Sequence, residues 1–308
     1  MIYLMAVVLG IAIPFSIIYA QDILDNKVYN MRTLEKITKD VPVLGELPKL
    51  TRRQLKQLIT DDRSVLSESL RILRTNLDYL IKTNRPEGKK NNVVFVTSSI
   101  SGEGKTFVSS NLAMILASAG KKVVLLGADI RNPKIRDFFK QDKGKFLSKS
   151  VGDHGDGKKR VLGFTDYLFS DDRDLEALKR KISLNNIELD IIYSGRIPPN
   201  PAELLLSPKV SKVMTELSRD YDYVIVDTAP LMVVTDTLLI SEYADHLIYV
   251  TRARVTEKKA IEFPIKLQEE KKIKGLAFVV NDVSGANLGY GGLYGYGYGQ
   301  TKKRWWKF

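Results

Sequence analysis

A doubly wound α/β fold, with a mostly parallel sheet and helices on both faces, is predicted by two observations. From residue 91 onward, apolar runs that do not alternate (VVFVTS, KVVLLGAD, IELDIIYSG, YDYVIVD, HLIYVTR, GLAFVVND) are separated by helical stretches. Between the first run and the first helix stands a glycine-rich turn ending in Gly104-Lys105-Thr106. Runs that are apolar at every position belong to strands buried on both faces, the usual state of a parallel sheet covered by helices. The chain has 308 residues, 44% of them apolar, which suffices for a sizeable core. It has no cysteine and only two histidines, so disulfides, thiol catalysis and His-rich metal sites are excluded and any metal should be held by oxygen.

In chain order, Ile2 to Ala20 are 19 uncharged positions. As a helix they would span about 28 Å, close to a bilayer core of about 30 Å, so residues 1–20 are expected to be one transmembrane helix. A cleavable leader would open on basic residues, and this chain does not. Lys27, Arg32, Lys36 and Lys39 follow, which places the downstream chain in the cytosol by the positive-inside rule. Residues 21–60, with Pro42 and Pro48, read as a juxtamembrane linker and loop. From Ser64 to Thr83 the leucines 66, 70, 73, 77 and 80 recur at spacings of four and three, an amphipathic helix with Glu68, Arg71 and Arg74 on its other face. The main domain is expected over 61–285. Helices are expected from Gly104, near Pro201, around Leu238 and from Glu257, the last kinked or broken at Pro264. Residues 140–162, polar and without sustained period, predict a mobile insertion. Residues 286–308 form a tail in which Tyr290, Tyr294, Tyr296 and Tyr298 lie among glycines, which cannot pack a core.

Lys and Arg number 48 against 36 Asp and Glu, a net charge of +12. Much of the excess falls in the 140–162 segment and on Lys302, Lys303, Arg304 and Lys307. Solvated loops and a membrane-facing tail account for it, so no nucleic acid is expected as a partner.

The chemistry is concentrated in Thr97-Ser98-Ser99-Ile100-Ser101-Gly102-Glu103-Gly104-Lys105-Thr106, a phosphate-binding P-loop between strand and helix. Ser101 to Phe107 are the candidate nucleotide contacts: Gly102 and Gly104 let backbone N–H groups curl round an anion beside Ser101, Glu103 and Phe107, Lys105 reaches the outer phosphates, and the Thr106 hydroxyl can ligate Mg²⁺. Asp129 and Asp227 close apolar strands and are the candidate carboxylates, with Thr106, for that hydrated metal. The expected cofactors are therefore ATP and Mg²⁺, and the fold class is a P-loop NTPase. Replacing Lys105 is expected to leave folding little changed, since such loops lie at the surface.

With these pieces in place, the chain from about residue 2 to 300 resembles the bacterial tyrosine kinases of exopolysaccharide and capsule export. The resemblance rests on PVLGELP after the span, Glu68-x-x-Arg71-x-x-Arg74, SSISGEGKT, GADIRNP, GFTDYL, SGRIPPNPAELL, YDYVIVDTAP and the terminal tyrosines. It implies Lys105, Asp129 and Asp227 as catalytic residues, ring-like self-association through Glu68, Arg71 and Arg74, and phosphorylation of the four tail tyrosines by the neighbouring subunit. It also implies an inner-membrane location with a cytosolic kinase domain, and partners comprising a periplasmic or transmembrane chain-length activator, the polysaccharide export machinery and a tyrosine phosphatase. One departure touches the chemistry: Gly127 stands where the family has an acid, leaving Asp129 as the remaining acceptor, and Gly127→Asp is expected to be tolerated or to raise activity. Two other functions compete. A partition or division-type ATPase switch would need a lysine near the start of the loop, where Ile100 and Ser101 stand. A catalytically dead ATP-binding scaffold is motivated by Gly127.

Overall fold

The computed structural model describes residues 2–38, 40–51, 64–83, 90–140, 161–170, 172–184 and 187–289. Eight strands form one sheet: β1 (Val43–Pro48), β2 (Val93–Ser98), β3 (Val123–Gly127), β4 (Arg180–Leu184), β5 (Ile187–Ile192), β6 (Tyr223–Asp227), β7 (His246–Arg252) and β8 (Leu276–Val283). Their order is β1-β8-β7-β2-β6-β3-β5-β4, parallel except for the terminal β4–β5 pair. The helices are α1 (Ile2–Leu24), α2 (Met31–Thr38), α3 (Val65–Thr83), α4 (Lys105–Ser118), α5 (Ile135–Lys140), α6 (Phe164–Phe169), α7 (Pro201–Leu205), α8 (Pro208–Asp220), α9 (Asp236–Leu239) and α10 (Lys259–Glu269).

The pleat sends alternate residues of each apolar strand into two separate cores. Val93 and Phe95 of β2 join Val210, Val213 and Leu217 of α8 and Ile261 and Leu267 of α10. Val94 and Val96 face Leu66, Leu70, Leu73 and Leu77 of α3 and Val108, Leu112 and Leu116 of α4. Both faces are thus covered, as the unbroken apolar runs predict. The parallel arrangement also brings the C-terminal ends of β2, β3 and β6 together at one edge, where the register aligns Asp227 with both Val96 and Gly127.

Three expectations change. Residues 25–50 do not form a linker: Val28 and Leu34 are fully buried, the Val28 N–H donates to Thr256 O at 3.0 Å, and residues 43–48 form the edge strand β1 against β8. Its prolines are tolerated because they lie at or beside the ends of an edge strand. Of the kink or break expected at Pro264, the break does not occur: the helix runs on through it. A proline inside a helix leaves the carbonyl four residues earlier without its donor, and here the buried Tyr249 hydroxyl donates to that carbonyl, Ala260 O, at 3.2 Å. The tail begins later than residue 286, since Leu288 is buried.

The membrane crossing is not established by the fold. Residues 2–24 are helical and Tyr3, Leu4, Ile11 and Phe15 are exposed, yet among the described residues no helix is long and apolar enough to cross a membrane. The insertion at 141–160, within the expected 140–162, and the tyrosines 290, 294, 296 and 298 lie outside the described residues.

Candidate nucleotide-binding site

The loop after β2 is shaped by two left-handed glycines, Gly102 at φ +93° and Gly104 at φ +103°. At Gly104 a β-carbon would stand 2.1 Å from Asn281 Nδ2, so glycine is required there for space as well as for conformation. Two side chains from neighbouring strand ends hold the loop's carbonyls: Arg252 donates to Gly102 O at 3.1 Å and Asn281 to Glu103 O at 3.0 Å. With those carbonyls engaged, the intervening N–H groups stay available to an anion at the start of α4. Sequence reasoning missed Arg252 and Asn281, which lie about 150 residues or more along the chain and carry no local motif.

The expected nucleotide contacts divide by role. Ser101 and Gly102 are exposed at the loop's tip. The Glu103 side chain faces inward: fully buried, it accepts from Ser99 Oγ at 2.5 Å, from Ile100 N at 3.0 Å and from the Thr256 hydroxyl. It braces the loop rather than offering its carboxylate to a ligand. Phe107 likewise packs into the core, its ring edge-to-face with Phe138 at 6.3 Å.

Lys105, Thr106, Asp129 and Asp227 are brought together. Lys105 Nζ lies 2.5 Å from Asp129 Oδ2, and the two side chains are only 9% and 3% exposed. Burial opposes the Lys105 charge, but Asp227 and Asp129 beside it more than offset that, so its pKa lies above the ordinary lysine value. Asp129's other oxygen accepts from Asn132 N at 2.9 Å. The expectation that replacing Lys105 leaves folding little changed is therefore corrected, because its loss strands a buried carboxylate. Asp227 accepts from Thr106 Oγ1 at 2.7 Å through Oδ2, while its Oδ1 is buried with no hydrogen-bond partner. Burial, only partly countered by Lys105 and Thr106, pushes its pKa up to about 6. A buried carboxylate oxygen without a donor beside a threonine hydroxyl fits a hard divalent cation.

Gly127 ends β3 opposite Asp227. A β-carbon there would stand 2.5 Å from Ser194 Oγ, 2.9 Å from Ser194 N and 3.2 Å from Ile135 Cδ1. The expectation that Gly127→Asp would be tolerated is corrected: the acid's place is taken by the backbone after β5. Even Gly127→Ala should lower the thermal midpoint, by an amount equivalent to about 1–3 kcal/mol of overpacking, and an unchanged midpoint would show that the β5 loop yields freely. The neighbouring Arg131 forms a two-pronged pair with the buried Asp236, at 2.7 and 2.9 Å, and ties this loop to α9. On α3, Glu68 and Arg71 pair at 3.1 Å on the side away from the buried leucines.

Residues 91–256 match the AAA domain family, a P-loop fold that implies nucleotide binding. The chain is 34% identical to EpsB of Ralstonia nicotianae over 255 residues, which is 81% of this chain but 30% of that protein. It is 32% identical to the tyrosine-protein kinase YwqD of Bacillus subtilis over 238 residues, 77% of this chain and 89% of that one. The kinase domain of the Escherichia coli tyrosine kinase ETK superposes with a TM-score of 0.66 at 23% identity, covering 82% of this chain and 93% of that domain, a likeness of fold.

Proposed function

The chain belongs to the family of bacterial tyrosine-protein kinases built on the AAA P-loop domain, and on that footing we propose that it is an ATP-dependent protein-tyrosine autokinase acting in trans on Tyr290, Tyr294, Tyr296 and Tyr298. The observation that carries this reading is the cluster of the buried Lys105, Asp129 and Asp227 with the half-buried Thr106 at the C-terminal edge of the sheet. Thr106 and Asp227 would hold a bound Mg²⁺, with Asp129 alongside, and the ion would supply charge neutralisation at the transferring phosphoryl group. Lys105 then exchanges Asp129 for the outer phosphates of ATP. That exchange releases Asp129 Oδ2 to accept the proton of the incoming phenol, whose ordinary pKa of about 10 makes positioning count for more than a strong base.

Association through Glu68, Arg71 and Arg74 would bring one subunit's tail to the next subunit's site. In a mixture of wild-type chain with a Lys105→Met chain, phosphotyrosine should form on the Lys105→Met chain. It should fall at least about tenfold when both carry Arg71→Ala and Arg74→Ala, as expected if effective concentration drives transfer. Label confined to the wild-type chain would overturn transfer in trans. The regulated process would be capsule or exopolysaccharide polymerisation and export, with a chain-length activator and a phosphatase as partners. The apolar run 2–20 and its basic flank support attachment to the inner membrane with the kinase in the cytosol, to be checked by whether the chain stays with membranes after alkaline carbonate washing. Gly127 lends the inert-scaffold reading its support, and the same labelling experiment separates the two.

A further inference from the structure

The edge carboxylate Glu46 holds two separate parts of the chain. One oxygen accepts from Met31 N, the first residue of α2, at 2.9 Å, and the other accepts from Gly289 N, the residue immediately before Tyr290. Nearby, Asn30 Nδ2 donates to Asn287 O at 3.5 Å, and Leu288 is buried, so the tail's root is fastened at successive positions. We propose that Glu46 is a positioning residue for the acceptor tail: by fixing Gly289 it sets the order in which the tyrosines are phosphorylated, the distal ones first and Tyr290 last. This rests on the autokinase reading above.

The register locates the anchor. Glu46 pairs with Val280 of β8, Val280 with Thr251 of β7, and Val250, one residue earlier, with Ser98 of β2. Glu46 is therefore level with the start of the P-loop and three strands away from it, about 14 Å at about 4.8 Å per strand. From a fixed Gly289, Tyr290 has one residue of chain, at most about 3.6 Å, plus its own side chain, whereas Tyr294 has about 17 Å and Tyr298 about 30 Å. Tyr290 is thus tethered within one residue of the anchor. Tyr294, Tyr296 and Tyr298 have progressively more chain between them and the anchor, so the search for a neighbour's site is least restricted for Tyr298 and most restricted for Tyr290.

The test follows phosphate at each tyrosine of the full chain by mass spectrometry during the first turnovers with Mg-ATP, in wild type, Glu46→Ala and Gly289→Pro. Gly289→Pro removes the donor while leaving the Glu46–Met31 bond, and Leu288, at φ −64° and ψ 129°, already has the extended backbone that precedes a proline. In the wild type, Tyr290 should be labelled at least about tenfold more slowly than Tyr298, equivalent to about 1.4 kcal/mol. Both variants should close that gap with the Tyr298 rate unchanged, and Glu46→Gln, which keeps an acceptor oxygen, should preserve part of it. Equal wild-type rates, or a gap unaltered in both variants, would overturn the proposal. Hydrogen exchange without nucleotide tests the anchor independently of catalysis: the Gly289 amide should exchange more slowly in wild type than in Glu46→Ala, and equal exchange would overturn it. A protected Gly289 amide in a chain that labels none of the four tyrosines would overturn the autokinase reading, and the ordering with it, while leaving the anchor in place.

Discussion

Lys105→Met is expected to abolish tyrosine phosphorylation and also to weaken the fold. The loss of activity follows from removing the one cation among the loop's candidate contacts 101–107, where charge develops on the outer phosphates, and a fall of at least about 10² to 10³ is expected. The loss of stability follows from Asp129, which is 2% exposed and would keep only its bond from Asn132 N. Breaking a buried pair by deleting one partner costs roughly 3–5 kcal/mol, with the lower end expected here because that bond survives. The double substitution Lys105→Met with Asp129→Asn should recover most of the thermal midpoint and none of the activity. Retained autophosphorylation in Lys105→Met would remove this loop from the mechanism. An unchanged midpoint in the single variant would show that the Lys105–Asp129 pair contributes nothing to the nucleotide-free fold.

Asp227→Asn should separate activity from stability in the opposite direction. The carboxyl is 1% exposed, and burial raises its pKa from 3.8 to about 6. An acid whose pKa is higher in the folded state favours folding fully below pH 3.8, loses that contribution as pH rises to about 6, and above that leaves a buried charge to be carried. Two units correspond to an order of 2–3 kcal/mol at neutral pH. The asparagine variant should therefore melt a few degrees higher than wild type at pH 7 without nucleotide, and its stability should vary less between pH 4 and about 6. Its magnesium-dependent transfer should fall by about 10² or more, because the unpartnered Oδ1 is lost as an anionic ligand. A lower midpoint at pH 7 would mean that the Thr106–Asp227 hydrogen bond outweighs the burial of the charge. Full activity would place the metal elsewhere.

The parts of the site that are contiguous in sequence were legible beforehand, for physical reasons. Gly102, Gly104, Lys105 and Thr106 make up one turn whose function depends on local backbone conformation. Asp227 closes a run, YVIVD, that is apolar because both of its faces are covered. What was not legible depends on strand order. Arg252 and Asn281 reach the loop only because β7 and β8 lie beyond β2 in the sheet. Glu103 reads as a ligand contact until Ser99, Ile100 and Thr256 are seen to consume its oxygens. β1 was missed because Pro42 and Pro48 signal a loop, and the local pattern does not reveal that β8 offers an open edge to VLGELP. β4 is short, and among its described side chains only Ile182 is buried, so its pairing with β5 left little hydrophobic signature. Gly127 was recognised as a departure, but the reason for it, Ser194 at 2.5 Å from the place of a β-carbon, exists only in three dimensions.

The central claim, that this P-loop site transfers phosphate to the chain's own C-terminal tyrosines, is tested most directly by one measurement. The purified full chain, first stripped by a phosphatase, is incubated with Mg-ATP and digested, and its phosphotyrosines are located by mass spectrometry, with Lys105→Met treated in parallel. Time-dependent phosphate on Tyr294, Tyr296 and Tyr298 in the wild type, absent from Lys105→Met alone, is the predicted result. ATP consumed with no phosphotyrosine anywhere in the chain, or tail phosphorylation that survives Lys105→Met, would contradict it.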